Sequence, residues 1–97
     1  MIPGTQTKIS EETVASATVI VAKTDLVRIT GSTQIETITS PLLLNRGGVM
    51  LFVVAVDGAV TLGTSGNIAV GQILAQNRLY QLVYSSIAGK WYIHGVA

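Results

Sequence analysis

His94 is the one histidine in the sequence, and the chain has no cysteine. Thiol nucleophiles, thiolate metal sites and disulfides are therefore outside its chemistry. A Ser-His-Asp arrangement or a histidine zinc site would have to be built on His94 alone. It lies near the C-terminus beside Trp91 and Tyr92, and a surface or interface histidine is the simpler reading. The carboxylates are Glu11, Glu12, Asp25, Glu36 and Asp57. The first two are adjacent near the N-terminus and the rest fall in separate segments, so no spacing prepares the paired acid and base of a glycosidase. Asp57 precedes Gly58 and reads as the first residue of a hairpin turn. Gly47-Gly48 and the Gly63–Gly66 stretch carry no Lys-Ser/Thr of a phosphate loop and open no helix, which makes them turn glycines. Tyr80, Tyr84, Trp91 and Tyr92 form an aromatic cluster. It would either stack on a sugar or base, or cap a small β core or a subunit contact. No catalytic, cofactor-binding or metal-binding residue is assigned, and the expectation is a protein that is not an enzyme and takes no cofactor.

Composition points the same way. The chain has 97 residues, 48% of them hydrophobic and 11% charged, where an ordinary globular domain has about 25% charged. Mean hydropathy is +0.55, which excludes a disordered chain. Six Lys or Arg (Lys8, Lys23, Arg28, Arg46, Arg78, Lys90) stand singly against five Asp or Glu, so no basic stripe marks a nucleic-acid partner. The longest apolar run, Val49–Val56, is eight residues, and a membrane helix needs about 20. Met1–Ser16 is largely polar and does not read as a secretion signal. A solitary soluble surface is about 25–35% charged, and this chain falls far short of that. The composition predicts an obligate oligomer in which further copies of the chain cover apolar surface.

The elements that would position these residues are strands. Thr18–Ala22 and Leu26–Thr30 are rich in Val, Ile and Thr, which suit a pleated surface. Thr33–Thr39 and the short Leu42–Leu44 follow, with Pro41 and Asn45-Arg46-Gly47-Gly48 as breaks. Gly48–Val56 is the strongest strand, and an unbroken apolar run predicts burial on both faces. Val49, Leu51, Phe52, Val53 and Val54 are the expected subunit interface, because nothing else in the chain supplies the second cover. Ala59–Leu62, Ile68–Val70, Arg78–Ser85 and Trp91–Val96 complete the set. Gln72–Val83 reads better as strand than as helix, since its helical stripes are half polar or interrupted by Arg78. Glu11–Ala17 can also be read as a short helix with Ser10 as N-cap. Met1–Lys8, with Pro3, Gly4 and Thr5-Gln6-Thr7, reads as part of an extended arm. The expected division is an N-terminal arm over 1–17 and a single β domain over 18–97. The fold class predicted is all-β, a short-stranded antiparallel sandwich or barrel-like domain, intertwined or packed as a homotrimer.

Residues Leu26–Ile93 resemble a module of bacteriophage virion proteins found in tail fibres, tailspikes and capsid-attached proteins. The likeness rests on Ile29-Thr30-Gly31 with Ile35-Glu36-Thr37-Ile38, and on Gly48-Val49-Met50-Leu51-Phe52. Asp57-Gly58-Ala59-Val60-Thr61-Leu62 with Asn67-Ile68, Leu82-Val83-Tyr84, and Gly89-Lys90-Trp91-Tyr92 follow in the family's order. The family's usual Asp after the Leu-x-Tyr element is Ser85 here. The resemblance implies a trimeric, β-rich virion component and carries over no enzymatic residue. Since the module takes up most of this chain, a small capsid decoration (cement) protein is the expectation. Its partners would be its own copies and the major capsid protein or other virion proteins, with neither nucleic acid nor membrane. It would be made in the host cytoplasm and located on the virion, and it would stabilise the mature shell by binding it. In that role Thr5, Gln6, Thr7, Lys8 and Ile9 would form a docking arm able to add a strand to a capsid sheet edge. The alternatives are a short head or tail fibre or spike component that binds host glycan, and a lectin-like carbohydrate-binding module using the aromatic cluster.

Overall fold

A computed structural model of the chain describes residues 9–41 and 49–95. Among the described residues nine strands are formed: β1 (Glu11–Ala15), β2 (Val19–Val21), β3 (Leu26–Thr30), β4 (Thr37–Thr39), β5 (Val49–Ala55), β6 (Val60–Leu62), β7 (Gln72–Leu74), β8 (Leu79–Ser85) and β9 (Lys90–Gly95). The described residues contain no helix long and apolar enough to cross a membrane. The all-β expectation holds. The main sheet has five strands in the order β1-β3-β5-β8-β9, with β2-β4 and β6-β7 as two smaller sheets.

The strand directions differ from the antiparallel expectation. β1, β3 and β5 run parallel, as do β2 and β4, while β5-β8, β8-β9 and β6-β7 are antiparallel. The first half of the chain is thus a short coil. It alternates between the main sheet and a second layer, and each pass lies beside the one before. Parallel neighbours need a crossover, and β2 and β4 are those crossovers. The corners explain why the chain turns this way. Gly31 has φ +77°, a left-handed conformation that a side chain resists, and a Cβ there would sit 2.8 Å from Ser16 Oγ. Its N–H donates to Asp57 Oδ2 at 3.1 Å, tying the exit of β3 to the exit of β5. Two exits lie side by side in this way only when the strands run in the same direction. Asp57-Gly58 is accordingly a corner between layers rather than a hairpin. Among the described residues only Asn77, Gly31 and Gly89 have positive φ, and the tight Asp-Gly hairpin turn requires it at both central positions.

Two further segments are settled. Gln72–Val83 forms β7 and most of β8, with Asn77 (φ 62°) at the turn between them. Glu11–Ala15 is a strand, not a helix: Ser10 Oγ accepts the Asp25 N–H at 3.1 Å, and the Ser10 N–H donates to Asp25 Oδ2 at 3.2 Å. Ser10 therefore serves the β2–β3 turn instead of capping a helix, and Glu11–Ala15 of the stretch read as an arm belongs to the main sheet. Leu42–Leu44 and Gly47-Gly48 lie outside the described residues.

Between the layers sits one core, built from Ile20, Val27, Ile29, Ile35, Ile38, Leu51, Val53, Leu62, Ile68, Leu74, Leu82 and Trp91 among others. Among the described residues it contains no buried charged side chain and no unsatisfied buried side-chain polar atom.

Candidate functional site: the outer face of the main sheet

Alternation along each strand sends every second side chain to the core and the others to solvent. On β5, Leu51, Val53 and Ala55 are buried, whereas Met50, Phe52 and Val54 point outward. On β8, Tyr80 and Leu82 go in while Leu79, Gln81 and Val83 go out. The ladder register aligns the outward residues in rows across the sheet. Met50, Val83 and Tyr92 make one row, and Glu11, Leu26, Phe52, Gln81 and His94 the next. Thr13, Arg28, Val54 and Leu79 make a third. Met50 is 52% exposed, Tyr92 47%, Leu79 45% and Val83 38%. Phe52, Val54 and Leu26 are partly covered and sit among them. Among the described residues the middle of this face is apolar except for Gln81, whose amide donates to Met50 Sδ, Arg28 is the one charge within it, and Glu11 and His94 stand at its two sides. Apolar patches beyond a few hundred Å² are rare on monomers and mark contact surfaces.

The expected interface residues therefore divide between two surfaces. Phe52 and Val54 lie on the outer face. Leu51 and Val53 are core, and Val49 is partly buried against it. The aromatic cluster divides too. Trp91 is 1% exposed, its Nε1 donates to the Ile38 carbonyl at 3.0 Å, and Tyr84 meets its ring edge-on at 5.3 Å between centroids. Tyr80 is buried, and its hydroxyl accepts the Ala75 N–H at 3.0 Å. Tyr92 alone of the four stands on the outer face. Buried rings offer no face to a sugar, so Tyr80 and Trp91 cannot serve as an open stacking platform in this fold. Of the arm residues, Thr5, Gln6, Thr7 and Lys8 lie outside the described residues, and Ile9 is 50% exposed.

The carboxylates serve the corners of the coil. Glu12 accepts the Lys23 N–H at 2.7 Å and the Thr24 hydroxyl at 3.2 Å. Asp25 is held by Ser10, and Asp57 by Gly31. Glu36 accepts the N–H and hydroxyl of Ser65 at 2.9 and 2.8 Å, and the Gln34 amide. These bonds, led by the Ser65 N–H, hold its carboxyl below the usual glutamate range. Gly63 and Gly66 are required here by close approach: a Cβ at Gly63 would strike the Glu36 carboxylate, and one at Gly66 would strike Thr37 Oγ1 and the Glu36 carbonyl. Among the described residues the Glu11 carboxylate alone of the five accepts no hydrogen bond. His94 pairs across the ladder with Gln81, and among the described residues no three His, Asp or Glu gather as a metal site.

Asn67 is a residue that the sequence reading passed over, using it only as a landmark. Its Oδ1 accepts the Ile38 N–H at 2.9 Å and its Nδ2 donates to the Ile38 carbonyl at 2.7 Å. The side-chain amide thus completes the free edge of β4 as a neighbouring strand would. Its only sequence signal is an Asn just ahead of a short apolar segment.

Compared with protein-family models, with curated proteins and with solved structures, the chain finds no match.

Proposed function

We propose that this chain is a structural virion component of a bacteriophage, a small homotrimeric decoration protein that assembles through the outer face of its main sheet and stabilises a mature shell by binding it. The observation that carries the reading is that apolar outer face, on a chain too poor in charge to keep such a surface in water. Its width suits three copies. Five strands at ~4.8 Å spacing are about 19 Å across. Three such sheets set as the sides of a triangular prism each stand about 6 Å from the axis, near half the ~10 Å between packed sheets. The likeness of Leu26–Ile93 to a virion module supports the same arrangement and supplies the setting. Binding to the shell works by mass action, since whatever binds only the assembled state stabilises it. The test is co-sedimentation with the mature shells of the encoding phage. The trimer is expected to pellet with shells and to raise their melting temperature, and deletion of Met1–Lys8 to abolish pelleting while leaving the trimer intact. Failure of the intact protein to bind shells or other virion parts would remove the virion reading.

The coil favours a second reading, a short fibre or spike component. The β1 and β2 end of the stack has the geometry to which further coils add in elongated β structures. Localisation on tails rather than shells would select it.

A further inference from the structure

The two edges of the main sheet are complementary. On β1 the bonds from Leu26 N–H to Ser10 carbonyl and from Ser16 N–H to Thr30 carbonyl fix which residues face β3. By the alternation of a parallel ladder, the N–H and C=O groups of Glu11, Thr13 and Ala15 face the open side. On β9, Trp91 is already bonded on its outer side, its N–H to the Asn67 carbonyl and its carbonyl to the Ala69 N–H. Ile93 and Gly95, on the same side, continue that edge beyond the 67–69 segment. β1 and β9 run in the same direction, because two antiparallel steps separate β9 from β5. Their outward side chains carry opposite chemistry. β1 presents a carboxylate, Glu11, with no cation, whereas β9 presents Lys90 and His94 with no carboxylate.

Register turns this into a prediction of partners. Glu11 and His94 occupy the same row. Rotation about an axis along the strands keeps every residue at its level, so it brings Glu11 of one copy beside His94 of the next. We propose that the β1 edge of one copy docks on the β9 edge of the next where that edge continues past the 67–69 segment, Glu11 against His94, closing three sheets head to tail. This rests on the assembly proposed above and specifies its seams. Such heterologous contacts close into rings when the rotation permits, and closure removes both exposed edges.

The chain lacks cysteine, so a cysteine pair tests the seam cleanly. Neighbouring strand positions fall within the ~4.4–6.8 Å Cα range of a disulfide, while residues at opposite edges of one sheet are about 19 Å apart and cannot bond within a chain. The doubly substituted protein, Glu11→Cys with His94→Cys, is oxidised with oxidised glutathione and run on a non-reducing denaturing gel, with Thr61→Cys/His94→Cys as control. Covalent trimer as the main product, absent from the control, is the expected result. An unsubstituted protein that assembles while the Glu11/His94 pair yields no more cross-link than the control overturns the seam and leaves the assembly standing. A monomeric unsubstituted protein overturns the assembly itself. Charge reversal gives an independent readout: Glu11→Lys is expected to raise the dissociation concentration at least tenfold, and combination with Lys90→Glu and His94→Glu to restore it. Loss of assembly without restoration contradicts the pairing.

Discussion

Asn67 does with an amide side chain what a further strand would do with its backbone, and the cost of losing it follows. Asn67→Ala strands the Ile38 N–H, at about 1–3 kcal/mol for a polar group left unpaired in a folded interior, while the Ile38 carbonyl keeps the Trp91 indole donor. Urea unfolding is expected to show a lower midpoint at unchanged slope, and an unchanged midpoint would contradict the role. Trp91→Ala removes both a buried ring and the donor to Ile38, with an expected cost of about 3–5 kcal/mol. Glu36 gives a pH signature. Its carboxylate form is favoured by folding, so its contribution is full above the ordinary value of 4.5 and fades as pH falls through its lowered folded value. The melting temperature of the native protein should exceed that of Glu36→Gln at neutral pH, with the gap narrowing below pH 4.5. A gap independent of pH would mean that the charge is not what Ser65 recognises. Little of this was legible in the sequence. A carboxylate that caps a turn, or an amide that completes a strand edge, 29 residues away leaves no local pattern.

At the scale of elements, β5 is the most informative strand. An unbroken apolar run predicts burial on two faces, and the strand has a buried inner face and an apolar outer one. Composition alone could not divide its residues between them, because the division depends on the pleat and on which neighbour β5 takes. It leads to a sharp contrast. Leu51→Ala, in the core, is expected to lower monomer stability by about 2–5 kcal/mol. Phe52→Asn with Val54→Thr, on the outer face, should leave the fold intact by circular dichroism and weaken only self-association. Equal loss of stability in both would place Phe52 and Val54 in the core. Strand identity was readable for β2, β3, β4, β5, β6, β8 and β9 from β-branched content and alternation. Direction was not. Parallel pairing is set by crossovers and by long-range ties such as Gly31 to Asp57, whereas Asp57-Gly58 taken alone is a hairpin signal.

For the molecule as a whole, the scarcity of charge and the apolar outer face are one fact seen twice. Four of the five carboxylates hold turns, so few charges remain to solvate a sheet about 19 Å wide, and the proposed cover for that face is further copies of the chain. In the proposed trimer, three copies around an axis supply that cover and close the sheet edges as well. The oligomer is thus the central claim, and the mass of the purified protein in solution, by light scattering across a range of concentrations, tests it most directly. The expected result is a mass near three chains of 10.2 kDa, reduced toward one by Phe52→Glu or Val83→Glu on the outer face. A stable, well-folded monomer at all concentrations would contradict the account, and a stable dimer would replace the prism with two sheets packed face to face.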